Sequence, residues 1–128
     1  MTRDKYLHHI KKTHADAAEL AVKKSSDYTG DGDVFDSWTI PAQVAGITPE
    51  KYLIALMSMK LIRIRSVLDK GTQNFESLTD SCIDISNYAV ILDALVLAKK
   101  EEKSRNPQQS QQQPFLSKRA SGRAHPEK

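Results

Sequence analysis

The segment from Ser77 to Lys103 constrains the fold more than any other part of the chain, because it is apolar on almost every side of a helix. Its apolar residues recur at helical spacing on one side, at Leu78, Ile85, Ala89, Leu92 and Val96, and on other sides at Ile83, Val90, Ala94 and Leu97. A helix of this kind is expected to be largely buried. The segment therefore predicts a central helix with neighbours packed around it.

Two further segments show helical spacing of apolar residues. The first runs from about Thr2 to Ser25, and its apolar stripe is thin and rich in alanine. The second follows Thr48, a natural N-cap, with proline at the first helical position, and stops at Gly71, a natural C-terminal cap. The third helix begins near Ser77, which together with Asp80 has the spacing of a capping box.

No segment alternates as a strand does, so the sequence predicts an all-α fold, a small helical bundle of three main helices. Residues 24–38 form a loop in this prediction, and the "TIPAQVAG" that follows forms one helical turn. Residues 1–103 make the domain, and residues 104–128 form a disordered tail rich in Gln, Ser and basic side chains. Because three helices make a thin bundle, completion by a homodimer is a further hypothesis.

The charge and cysteine content indicate where the chain acts. The net charge is +3, and much of it lies in the tail, so weak nucleic-acid contact through the basic tail is one hypothesis and a solvated tail is the other. Cys82 is the single cysteine, which fits a reducing compartment. No apolar run approaches the ~20 residues of a membrane span, and the first residues lack a signal-peptide core. These features predict a cytoplasmic protein with no membrane partner.

Polar side chains interrupt the apolar third helix along one stripe. Asp80, Asp84 and Asn87 fall at i, i+4 and i+7, which places them on one face. Burying a carboxylate without a partner is very costly, and two neighbouring carboxylates repel each other. A cationic side chain, a metal ion or both should therefore face this stripe.

The second helix offers the cations. Lys60 lies at the centre of its apolar face and Arg63 at the edge. One interpretation is a buried Lys60–Asp84 or Arg63–Asp80 ion pair with no chemistry. The other is a polar pocket in which the carboxylates hold Mg²⁺ and the basic residues hold phosphate. Spacing alone leaves both open.

The acidic loop "KSSDYTGDGDVFDSW" also carries a hypothesis. It lacks the spacing of a calcium-binding loop. Aromatic packing and glycine bends explain its other residues, but not its four aspartates at positions 27, 31, 33 and 36. We therefore interpret the loop as a candidate lid over the polar pocket.

Three sequence blocks combine in order: "KKSSDYTGDGDVFDSW", "GITPEKYLIALMSMKLIRI" and "ESLTDSCIDISNYAVIL". Together they resemble a phage and prophage family, the nucleotide-modification-associated domain of the first type. The resemblance spans about residues 23–95, with Met59 where family members often have an acidic residue. The matching positions are Lys24, Asp27, Tyr28, Asp31, Asp33, Phe35, Lys60, Arg63, Glu76, Asp80, Asp84, Asn87 and Tyr88.

The resemblance implies a phage protein of nucleotide metabolism, acting in the host-cell cytoplasm. "DISNY" is more distantly similar to the metal-binding helix of the MazG-like all-α NTP pyrophosphohydrolases, with asparagine in place of the second acid. The first hypothesis is thus a protein that binds a (deoxy)nucleotide and acts as a Mg²⁺-dependent nucleotide pyrophosphohydrolase. Its catalytic residues would be Asp80, Asp84 and Lys60, with both carboxylates as metal ligands. Its substrate-binding residues would be Lys24, Asp27, Tyr28, Arg63 and Asn87. The alternative is a non-enzymatic phage regulator or interaction module that binds a host protein or nucleic acid.

Overall fold

The computed structural model describes residues 1–29, 32–71 and 75–107. Within these ranges the chain forms four helices and no strand: α1 Arg3–Thr29, α2 Asp36–Ala45, α3 Pro49–Asp69 and α4 Phe75–Arg105. The all-α class predicted from the sequence is confirmed, with one helix more than the three predicted. The chain divides into two compact units, residues 1–97 and 98–128. In the second unit, α4 ends at Arg105 and Asn106 N–H donates to Glu102 O at 3.1 Å. The predicted tail lies outside the described residues from position 108 onward.

The connection between α1 and α2 is shorter than the sequence suggested. α1 continues to Thr29, so the first part of the predicted loop is helical, and α2 already begins at Asp36. The expectation of one long acidic loop over residues 24–38 is therefore wrong at both ends. Gly30 and Asp31 lie outside the described residues.

Two aspartates close the turn that leads into α2. Asp33 Oδ1 accepts the backbone N–H of Phe35 at 2.8 Å, and Asp36 Oδ2 accepts the backbone N–H of Asp33 at 3.1 Å. In both bonds a side-chain oxygen satisfies a backbone donor of the turn before α2, whereas Phe35, the N-cap of α2, has no side-chain cap bond. Half of the loop's four aspartates thus have a local structural role.

α3 begins and ends where its capping residues predict. The Thr48 backbone is extended, and its Oγ1 accepts the N–H of Lys51 at 3.3 Å. Pro49 follows at the first helical position. After Asp69, Gly71 takes a left-handed conformation with φ 58°, which an L side chain adopts only at a cost.

We expect Thr48→Ala to lower the free energy of unfolding by about 1 kcal/mol, because it removes an N-cap acceptor. Thr48→Ser keeps the hydroxyl and should cost less. Urea denaturation followed by circular dichroism measures both variants. An alanine variant as stable as the wild type would show that the Thr48 cap does not contribute to the free energy of unfolding.

The core of residues 1–97 is small. Among the described residues, four apolar side chains are buried, one from each helix: Ala17, Ala42, Leu53 and Leu95. Ser81 on α4 is buried with them. Large apolar side chains on all four helices remain exposed, so much of the apolar surface that the sequence supplies is not used inside one chain.

α4 extends beyond both of its predicted ends and meets the length and composition criteria for a membrane span. Residues 76–105 contain an 18-residue window with a mean hydropathy of 1.5, of which 11% is buried. By length and composition this helix could cross a membrane, contrary to the expectation that no apolar run approaches a span. Core helices of soluble proteins meet the same criterion, so α4 does not by itself assign a location.

Candidate functional site

The site predicted from the sequence lies between α3 and α4. These helices are joined by a short connection, which favours an antiparallel arrangement. Two contacts confirm it, because Arg63 meets Ser77 whereas Lys60, earlier on α3, meets Asp84, later on α4.

Lys60 and Asp84 form an ion pair across the two helices. Lys60 Nζ lies 2.8 Å from Asp84 Oδ2, and the side chains are 25% and 21% exposed. The helical spacing of α3 directs the lysine toward α4, and that of α4 directs the carboxylate back. The pair places one fixed positive and one fixed negative charge at a half-buried position.

Arg63 is held by a hydroxyl group rather than by a carboxylate. Ser77 Oγ accepts from Nε at 3.2 Å and from Nη2 at 2.9 Å. The anticipated Arg63–Asp80 pair is not what the structure shows, and Asp80 is exposed. A guanidinium carries five N–H donors, so three remain on this exposed side chain after the two bonds to Ser77.

The sequence predicted a different role for Ser77. The capping-box spacing placed it at the start of the helix, but α4 begins at Phe75, so Ser77 lies inside the first turn. Its backbone carbonyl accepts the hydroxyl of Ser81 at 3.0 Å. The sequence feature that could have identified Ser77 as part of the site is its position seven residues before Asp84, which puts both side chains on one face of α4.

Tyr88 extends this line of polar residues by one helical turn. Burial is the main cause that raises the pKa of its hydroxyl above the ordinary value. The negative charge of Asp84 raises it further, and the positive charge of Lys60 partly opposes this. We call Lys60, Arg63, Ser77, Asp84 and Tyr88 the polar seam. Asn87, next to Tyr88, is half-buried.

The predicted substrate-binding residues of α1 are not joined to the polar seam. Lys24 and Asp27 are exposed on the last turns of α1. In the part of the chain that the structure describes, no hydrogen bond or ion pair connects either of them to the seam. The Tyr28 side chain lies outside the described residues. The structure therefore brings together Lys60, Arg63 and Asp84, with Asp80 and Asn87 close by on α4.

The two predicted metal ligands are one helical turn apart on α4. Asp84 is engaged by Lys60, and Asp80 is exposed. Across residues 1–29, 32–71 and 75–107, no group of three His, Cys, Asp or Glu side chains could hold a metal ion. A metal at this site would therefore need oxygen ligands from a bound substrate and from water, an arrangement that Mg²⁺ commonly adopts.

A shallow concavity of about 380 Å³ lies on the C-terminal half of α3. It is lined by Ile62, Arg65, Ser66, Asp69 and Lys70. None of these residues was predicted to be functional. On the helical wheel Ile62 and Ser66 lie away from Lys60, so this concavity is separate from the polar seam.

Comparisons with known protein families, with curated proteins and with solved structures give no match to this chain. The resemblance described from the three sequence blocks therefore stays a prediction. The polar seam has to be interpreted from its own chemistry.

Proposed function

We propose that the chain binds a (deoxy)nucleotide through its phosphate groups at the polar seam. One observation carries the proposal: Lys60 and Arg63, one turn apart on α3, both point toward α4 and are both held by side chains of that helix. Two oriented cations at this separation suit an oligophosphate. The family resemblance supports the same ligand class.

Arg63 would make the main phosphate contact. Its bonds to Ser77 fix one edge of the guanidinium and leave the remaining donors for an anion. A planar guanidinium matches the oxygens of a phosphate group in a bidentate geometry. Lys60 would add a point charge, which a bound phosphate would share with Asp84.

Hydrolysis is the finer part of this proposal. Mg²⁺, when bound, would neutralise charge on the phosphates. Asp80 and Asp84 would hold it together with the substrate's own oxygens, while Lys60 and Arg63 stabilise the charge that develops as a phosphoanhydride bond breaks. In the phage context that the resemblance implies, this pyrophosphohydrolase would act in the host-cell cytoplasm.

Arg63→Gln tests the binding step. A charged hydrogen bond is worth about 1.5–3 kcal/mol, so we expect the variant to bind nucleotide at least about tenfold more weakly. Arg65→Gln is the matched control, because Arg65 lies two residues away, is exposed and pairs with Asp69. Calorimetric titration with canonical and modified deoxynucleoside triphosphates measures both variants, with and without Mg²⁺.

Equal affinity in the wild type and in Arg63→Gln would refute the seam as the site. Absence of binding for every nucleotide would remove the proposal altogether. Release of pyrophosphate in Mg²⁺ that is lost in Asp80→Asn, with Mg²⁺-free binding unchanged, would support the hydrolase. Binding without turnover would restrict the function to nucleotide binding.

A non-enzymatic interaction module is the second candidate, and one observation favours it. Large apolar side chains are more than half exposed on α2 and α3, among them Val44, Ile62 and Leu68. Apolar surface of this extent commonly marks a contact with another macromolecule. Failure of every nucleotide to bind would make this function the better supported of the two.

A further inference from the structure

α3 carries an exposed apolar stripe that continues its buried face. Ile54, Leu61 and Leu68 are spaced by seven residues and are 52%, 57% and 65% exposed. Spacing by seven keeps side chains on one side of a helix over its full length. We call these three residues the α3 stripe.

The α3 stripe borders the core. Leu61 lies four residues after Met57 and three before Ile64, and both of these neighbours are partly buried. The apolar arc of α3 is thus wider than the part that the other helices cover. A second element packed on the stripe would enlarge the core, which holds only four buried apolar residues in the described chain.

α4 presents a second stripe on the same side of the helix pair. In an antiparallel pair, some residues of each helix point toward the other helix. The residue that comes next in the sequence after each of these points to the same side of the pair, whichever helix it belongs to. On α3 these residues form the α3 stripe, since Leu53 and Lys60 face inward. On α4 the buried or partly buried positions Ser81, Tyr88 and Leu95 lie beside the Ser77–Asp84 line that contacts α3. The residues that follow them are Cys82, Ala89 and Val96, all exposed and again seven apart. We call these the α4 stripe.

The two stripes differ in size at matching heights. The contacts between Lys60 and Asp84 and between Arg63 and Ser77 set the register of the helix pair. In that register Leu61 is level with Cys82, and Ile54 is level with Ala89. Large side chains on one helix therefore stand beside small ones on the other.

We propose that this side of the α3–α4 pair is the interface of a homodimer. A second copy is related to the first by a rotation of 180° about an axis parallel to the helices. This rotation leaves each residue at the same height along the axis and places α3 of each copy against α4 of the other. Leu61 then meets Cys82 of the second copy, and Ile54 meets Ala89 of the second copy, so each large side chain faces a small one. The result is an antiparallel four-helix core.

Charge complementarity also selects a second copy as the occupant. Lys51 flanks the α3 stripe, and Asp93 flanks the α4 stripe at nearly the same height. Both side chains are exposed in the single chain. The rotation brings Lys51 beside Asp93 of the second copy, and the symmetric pair forms at the opposite edge.

Sedimentation of the full chain tests the proposal, which does not depend on nucleotide binding. We expect wild type to have twice the 14.3 kDa mass of the chain and Leu61→Asp to be monomeric at the same concentration. Val44→Asp is the control, because Val44 is 85% exposed on α2 and lies outside both stripes. A monomeric wild type, or a dimer that survives Leu61→Asp, would overturn the interface, as would loss of the dimer in Val44→Asp.

Leu61→Cys keeps the test decisive if the aspartate variant fails to fold. Oxidation should link it to Cys82 of the second copy and give a dimer on a non-reducing gel. The wild type, which has Cys82 alone, is the control for unspecific oxidation. A Leu61→Cys variant with no more dimer than the wild type would refute the interface.

Discussion

Leu53→Ala is expected to lower the free energy of unfolding by about 2–5 kcal/mol, the range for truncating a buried leucine. Leu53 is fully buried on α3, the helix that packs against α2. The loss removes both the transfer free energy of the side chain and the contacts around the cavity that remains. Domains of this size have a total stability of about 5–15 kcal/mol, so the variant should be partly unfolded under mild conditions.

Ile62→Ala is the matched control for Leu53→Ala. Ile62 lies on the same helix but is mostly exposed, so its truncation should change stability by no more than about 0.5 kcal/mol. Denaturant titration at a fixed protein concentration measures both variants. Similar losses for the two positions would show that Leu53 is not the packing centre of residues 1–97.

Helix boundaries could be predicted where a cap is encoded locally. Thr48 and Gly71 delimit α3 because an N-cap and a left-handed glycine act on neighbouring backbone groups. α2 was underestimated as one turn because its ten residues include Pro41, a residue that usually marks a helix end. The turn before it is closed by the carboxylates of Asp33 and Asp36, which accept the backbone N–H groups of Phe35 and Asp33, and the sequence did not indicate these bonds.

The part of the candidate site that could be predicted from the sequence consists of charged residues within apolar helix faces. Lys60 and Asp84 stand out because each interrupts an apolar face, and facing helices bring them together. The partner of Arg63 was not predictable, because Ser77 and Asp80 are neighbours on α4 and only the register of the helix pair decides between them. The exposed apolar surface of α3 could not be predicted either, because a helical wheel shows which residues form an apolar arc but not how much of that arc another helix covers.

The Lys60–Asp84 pair yields the second large effect, in a double-mutant cycle. Asp84→Leu leaves Lys60 without its carboxylate in a position that is only one-quarter exposed. We expect a loss of about 1–3 kcal/mol, below the 3–5 kcal/mol typical of fully buried pairs. Lys60→Met should cost a similar amount, because the carboxylate then loses its cation.

The combined variant Lys60→Met/Asp84→Leu should be within about 1 kcal/mol of the wild type, because two apolar side chains can replace an ion pair without leaving a charge behind. Denaturant unfolding of all four proteins gives the coupling energy. A double variant as unstable as the sum of the two single losses would contradict this expectation and point to a wider polar network through Tyr88.

The same double variant separates structure from function. If Lys60 holds a phosphate group, the stable double variant should bind nucleotide at least about tenfold more weakly, since a charged contact is worth about 1.5–3 kcal/mol. Arg65→Gln again serves as the control for a lost surface charge on α3. Undiminished nucleotide binding by a stable Lys60→Met/Asp84→Leu chain would assign the ion pair to folding alone and leave Arg63 as the seam's only candidate for phosphate contact in the described part of α3.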